Sequence, residues 1–349
     1  MKKRLLALIG ICLLLCGCGK SSKENVLKDF KNNINNTKSY KVIGNMEITN
    51  DEEKFVYSLE SYFLKGDYYK VILVNQTNNH EQIILKSKDD IYVITPSLNK
   101  SFKFQSDWPN NSSQAYLLGS LVNDIDKDQN SEVINNNDGY IIKTKVNYPN
   151  NEDLVYQKIY INDKLEVEKV EVYNNNDLIK IKVDFEKTDL KANLNEDDFK
   201  IESYIKEDNT NQNCNDDNSC NETNKQEDSQ KSANIENIIY PLYIPSNTYL
   251  TSSETIENNN GNRIILTFGG EKNFVLIEEA MHYNSDMEII PVYGEPLMLS
   301  ESIGALSANS LSWDVNNISY YLASTELTSK EMQSIANSLG NNTLVANTK

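Results

Sequence analysis

Histidine is nearly missing from this chain: His80 and His282 are the only two in 349 residues, and they are widely separated. Neither stands beside a nucleophile or carboxylate at a catalytic spacing, which argues against a His-built metal centre or a hydrolytic triad. His80 follows Asn78-Asn79 in a predicted turn and reads as a solvated loop residue. Seven prolines and 13 glycines are too few for collagen-like or proline-rich repeats. Gly269-Gly270 reads as a hairpin turn between strands, and no glycine-rich phosphate loop precedes a helix. Positive charge is the scarcer sign, with 34 Lys and Arg against 51 Asp and Glu and a formal net charge of −17. That balance repels phosphate backbones, so no nucleic-acid partner is expected. The acidic runs at 51–53 and 196–198 match no calcium-loop spacing, and no cofactor or metal is expected.

Long apolar runs are confined to the N-terminus. Lys2, Lys3 and Arg4 precede the run 5–15, too short to be comfortable as a mature membrane span, so residues 1–17 read as a cleavable signal. The run ends in Leu15-Cys16-Gly17-Cys18, which resembles the bacterial lipobox. That resemblance implies cleavage before Cys18 and a thioether-linked diacylglycerol on its sulfur. Acyl chains contribute about 0.8 kcal/mol per buried methylene and would hold a polar body to the outer face of the cytoplasmic membrane. Beyond a short tether, 18–23, the remaining cysteines are Cys214 and Cys220, which either pair across a small loop or stay as free thiols.

A composition break divides the rest. Residues 204–237 hold almost no apolar side chains and are net acidic, so they read as a disordered polar linker. Before it, residues 24–203 open with a helical stripe of Val26, Leu27, Phe30 and Ile34. Strand-like segments follow at 40–48, 68–74, 82–85, 91–95, 140–146, 154–161, 167–173 and 178–185, rich in Val, Ile, Tyr and Phe. Residues 112–125 interrupt them with a second stripe, Tyr116, Leu117, Leu121 and Ile125, for which Ser112 or Ser113 is the expected N-cap. The fold class that results is mainly β (α+β): a curved antiparallel sheet of about eight or nine strands, an incomplete barrel covered by helices. After the linker, 238–349 read as a small α+β domain. Its strands fall at 263–268, 274–279, 311–313 and 319–322, and its last helix opens on the capping box Thr328…Glu331 and ends at Gly340.

The run 90–104, followed by Trp108-Pro109 and 110–118, resembles the LolA-like lipoproteins of spore-forming Gram-positive bacteria, a group with GerS-like germination lipoproteins. The resemblance covers about residues 24–203. It implies a half-barrel around an apolar cavity that holds acyl chains or, in RseB-like relatives, regulates a protein partner. It also implies a role around a cortex-modifying amidase in sporulation, and it transfers no catalytic residue. The C-terminal order resembles a small module of unknown function (DUF4367-like) of anchored Gram-positive proteins and RseB-like regulators.

A non-enzymatic, lipid-anchored binding protein is therefore expected, acting in sporulation, germination or envelope-stress regulation. Its ligand is a lipid or a protein; the alternatives are a lipid or lipoprotein carrier and an amidase scaffold or activator. Candidate cavity or partner residues are Val42, Ile72, Ile84, Val93, Phe104, Trp108, Leu117, Leu121, Ile142 and Ile159. Trp108 either lines the cavity mouth as an aromatic anchor or plugs the sheet edge as core.

Overall fold

The computed structural model describes residues 22–50, 53–205, 234–258, 261–281 and 286–339. Cys18, Cys214, Cys220, His282, Gly340, the signal segment and most of the polar linker lie outside them.

Helix α1 (Lys23–Asn35) starts where the Ser22 side chain accepts from the Asn25 backbone N–H, 3.3 Å away. It buries Val26, Phe30 and Ile34, as their spacing on one helical face requires. Strands β1 (Ser39–Asn50), β2 (Glu53–Leu64), β3 (Tyr68–Asn75), β4 (Glu81–Ser87), β5 (Asp90–Thr95) and β6 (Lys100–Phe104) follow as a meander. After helix α2 (Leu118–Lys127) come β7 (Glu132–Asn136), β8 (Gly139–Lys145), β9 (Leu154–Asn162), β10 (Val167–Asn174) and β11 (Ile179–Asp189). The C-terminal part contributes β12 (Thr248–Asn258), β13 (Gly261–Gly270), β14 (Phe274–Ala280), β15 (Glu288–Val292), β16 (Gly294–Met298), β17 (Ile303–Ser307), β18 (Ser310–Val315), β19 (Ile318–Ala323) and helix α3 (Ser329–Leu339).

The fold is mainly β with a curved, open sheet over helices, as the alternation requires. In the first sheet the order is β15-β6-β5-β4-β3-β2-β1-β11-β10-β9-β8-β7, and in the second β12-β13-β14-β19-β18-β17-β16. Strand β1 shows the governing pattern: Tyr40, Val42 and Met46 point inward while the residues between them stay partly wet. Gly44 occupies an inward position at a bulge, where a Cβ would lie 2.0 Å from the Asp184 carbonyl oxygen. Only glycine lets β1 and β11 approach there. Eleven strands come from residues before the linker, more than the eight or nine expected, because β2, β6 and β7 join the segments already legible.

The concave face of the first sheet is packed solid by α1 and α2. Phe30, Val42, Leu117, Leu121, Ile142 and Ile159 are all 0% exposed in one continuous core. Helix α2 begins later than its stripe suggested and lacks a Ser cap: its N-cap is Leu117, with no side-chain bond. Ser113 instead donates to Asp124 Oδ1 at 2.8 Å, across the loop that leads into the helix. A smaller apolar cluster lies on the sheet's other face, where Tyr68, Ile83, Leu85, Tyr92 and Ile94 meet Phe199.

The two parts of the chain are joined through β15, which pairs in parallel with β6 from Glu288 opposite Lys100 to Val292 opposite Phe104. Tyr293 alone separates β15 in the first sheet from β16 in the second. Ile303 and Ala305 of β17 belong to the first core. Lys100 Nζ meets both carboxylate oxygens of buried Asp314, at 2.9 and 3.0 Å. On the other side of the second sheet, α3 packs Met332, Ile335, Ala336 and Leu339 over β13, β14, β18 and β19. Its capping box forms as expected: Thr328 N–H donates to Glu331 Oε2 and Glu331 N–H to Thr328 Oγ1.

Candidate functional site

Nine of the ten candidate cavity residues, all but Ile72, lie in the first core. Ile72 stands on the opposite face, partly buried in the smaller cluster, and its neighbours Val71 and Leu73 point inward instead. This is the one-residue inversion that a period of two makes easy. The interior they form is occupied by α1 and α2, and the described residues leave open space at another place.

That space is a cleft of about 570 Å³ between the rim of the half-barrel and the C-terminal part. One wall comes from the end of β1 (Ile48, Thr49, Asn50), the loop before α2 (Trp108, Gln114, Tyr116) and the β8–β9 loop (Tyr148, Asn150, Asp153). Facing it are β16, the turn after it, and the polar side of α3, with Leu242 and Tyr243 at the rim. Of the candidates, Ile84 and Trp108 reach this cleft.

Trp108 is 2% exposed, and its ring meets Tyr69 edge-on at 6.0 Å. Its carbonyl accepts from Lys86 Nζ at 2.9 Å, and the same ammonium pairs with Asp67 at 2.9 Å. The loop carrying Trp108 is thereby pinned to the sheet. Tyr116 donates to Gln114 Oε1 at 2.5 Å, and burial holds the hydroxyls of Tyr116 and Tyr148 well above the usual tyrosine range. Behind this wall the buried carboxyl of Asp124 accepts from Ser113 and from Gln157 Nε2 at 2.8 Å, and burial pushes its pKa up to about 6.

Polar clamps fix the facing walls. The Glu295 carboxylate accepts from the side-chain amides of Asn111 and Asn150. Tyr57 donates to the Ser300 carbonyl at 2.6 Å. Gln82 pairs its amide with both backbone groups of Ile303, donating to its oxygen at 3.2 Å and accepting from its N–H at 2.5 Å. Lys330 meets Asp153 at 2.7 Å. Sequence reasoning missed nearly all of this lining, since Asn, Gln and Ser in turns carry no signal until the fold brings them together.

His80 sits half-buried beside the junction, with Nε2 lacking a hydrogen-bond partner among the described residues. Burial holds its pKa below the usual value, which corrects the expectation of a solvated loop side chain. Among the described residues no group of three or more His, Cys, Asp or Glu could hold a metal, and no helix is long and apolar enough to cross a membrane.

Against that geometry, the chain is similar to one family, one curated protein and two solved structures. The model of the family "Sporulation protein YdcC-like" matches residues 1–199. Sporulation protein YdcC of Bacillus subtilis (strain 168) is 33% identical over 331 residues, which span 94% of this chain and 93% of that protein. Among solved structures, the complex of Pseudomonas aeruginosa MucA/MucB aligns with 89% of this chain and 97% of its own at 10% identity and a TM-score of 0.31. One chain in the structure of the CwlD amidase from Clostridioides difficile in complex with the GerS lipoprotein aligns over 96% of its length with 48% of this chain, at 19% identity and a TM-score of 0.29. At such scores neither structure assigns an activity or a partner.

Proposed function

The chain belongs to the sporulation protein YdcC-like family, and on that premise we propose that it is a non-enzymatic lipoprotein that holds a protein partner in the cleft between its two parts. Cys18 carries the anchor and keeps the body on the outer face of the cytoplasmic membrane. The observation that supports a protein over a lipid is where the space lies. An acyl carrier needs an empty apolar interior, and here that interior is filled to 0% exposure by Phe30, Leu117 and Leu121. What remains open is lined about equally by apolar side chains and by amides and hydroxyls, which suits a polypeptide surface. The sequence resemblance over 24–203 would make that partner a cortex-modifying amidase, with this chain as its scaffold or activator.

A lipid-carrier reading keeps one foothold, since Ile48, Leu154, Ile181 and Leu242 are among the side chains that line the same cleft. Two measurements separate the readings. The lipidated chain, purified from sporulating cells, should carry a stoichiometric protein, and Ser334→Arg, which projects a long cation from α3 into the cleft, should release it. Native mass spectrometry of the chain produced without its signal should show no bound acyl species; a retained fatty acid or lipid would overturn the protein reading.

A further inference from the structure

Strand β16 ends the second sheet and forms part of the cleft wall through Glu295, Pro296, Leu297 and Met298. Its hairpin with β17 closes on the Leu299 N–H donating to the Ser302 oxygen at 2.9 Å. Bonded and non-bonded pairs alternate outward from such a closing pair in an antiparallel ladder. Leu297 opposite Gly304 and Glu295 opposite Leu306 therefore exchange bonds with β17. Pro296 and Met298 turn their backbone groups the other way, to the open edge. The Met298 carbonyl confirms that direction, because it accepts from Gln333 Nε2 of α3 at 2.9 Å. Proline has no N–H to offer. The edge thus presents the Pro296 C=O and the Met298 N–H, two residues apart, which is the pair that a single residue of a parallel strand engages.

The lining also restricts the charge of an occupant. Asp153 is neutralised by Lys330, and Glu295 is held by two amides. Lys180 is the other lysine in the lining and stands outside that ion pair. Ser300 is 2% exposed, and its hydroxyl has no hydrogen-bond partner among the described residues.

We propose that the cleft takes an extended segment of the partner protein, which adds to the β16 edge as a short parallel strand through Pro296 and Met298. This rests on the protein-partner reading and specifies how the partner is held. The segment has uncharged side chains along α3 and one acidic residue placed toward Lys180. Main-chain pairing supplies affinity, and alternate side chains supply selectivity. An acyl chain has no groups that can use this edge.

A test uses the whole mature chain and a defined probe: the tightest binder from a phage-displayed library of random peptides, resynthesised with a fluorophore. Met298→Pro removes the outward N–H at a position not bonded to β17, next to an edge that already accepts Pro296. Binding should weaken about tenfold or more, the scale of one lost main-chain bond with its partner left unpaired. Met298→Ala keeps the N–H and should lose less. Should the Pro variant not fold, the wild-type chain still answers through a peptide series methylated at one backbone nitrogen at a time. Methylation at one central position should abolish binding, while methylation of its immediate neighbours should not. If Met298→Pro and every methylated peptide bind like their parents while Ser334→Arg blocks the parent peptide, strand pairing is wrong and the cleft still binds protein. If the library yields no binder, if Ser334→Arg leaves binding intact, or if a fluorescent fatty acid fills the cleft, the protein-partner reading falls with it.

Discussion

At the scale of single residues, two buried polar side chains decide how the C-terminal part is held. Gln82 is 3% exposed and completes both backbone groups of Ile303 as a strand neighbour would. Gln82→Ala leaves a buried N–H and a buried C=O unpaired, and the loss should be about 2–4 kcal/mol in urea unfolding; a loss within error would mean that water reaches Ile303. Glu278 of β14 is 0% exposed; its Oε2 accepts from the Ile239 N–H at 3.2 Å, and its Oε1 has no partner among the described residues. Burial pushes its pKa from 4.5 up to about 7, and Tyr320 lies directly opposite on β19. The raised value means that the native state keeps a proton the unfolded chain gives up. Stability from this group is therefore full below pH 4.5 and declines as pH rises toward 7. Glu278→Gln should flatten that decline and raise the melting temperature at pH 8 by a few degrees; an unchanged pH profile would show that Glu278 ionises freely. Legibility at this scale was uneven. The inward course of β1 could be read from alternation. On β3, β4 and β5 apolar side chains lie on both faces, with Phe199 covering the second, so alternation does not fix the face there: Ile84 and Val93 point inward as expected and Ile72 is inverted.

Among elements, legibility followed how local the determinants are. Helices α1 and α3 could be read with their buried stripes, since Ser22 and the Thr328–Glu331 box act within one turn. Ser113, one of the two serines expected to cap α2, bonds the Asp124 side chain farther along that helix instead of its first-turn N–H groups, and the helix starts at Leu118. Strand β2 escaped because Ser61 takes an inward position and blurs its alternation. Strand β15 escaped for a stronger reason: five residues that include Pro291 form a strand only because a distant edge, β6, supplies the bonds. The cleft was illegible for the same cause, being assembled from turns and edges of segments far apart in the chain. Dependence of β15 on β6 predicts that Ile290→Asp, which places a charge against the first core, should detach it. Amide exchange along β6 should accelerate while β3 and β4 stay protected. Unchanged protection of β6 would mean that the β15 ladder adds nothing to the sheet.

For the whole molecule, a polar linker ordinarily predicts two bodies that unfold separately, and the contacts here oppose that outcome. Ile303 and Ala305 complete the first core, β15 extends the first sheet, and Lys100 meets a nearly inaccessible Asp314. Breaking that ion pair from one side would leave a buried charge, a penalty of about 3–5 kcal/mol that neither part escapes alone. The two tryptophans make coupling measurable, since Trp108 reports the half-barrel rim and Trp313 the second core, each at 2% exposure. Trp108→Phe and Trp313→Phe each leave one reporter, and their fluorescence midpoints in urea should coincide once corrected for each variant's own stability by circular dichroism. Lys100→Met should move both midpoints together. A protease site inserted between residues 206 and 233 gives an independent reading: after cleavage the two parts should still elute as one species. Separate elution, or midpoints that part company when Lys100 is replaced, would show that the cleft walls are free to move apart and that a partner must close them rather than enter between them.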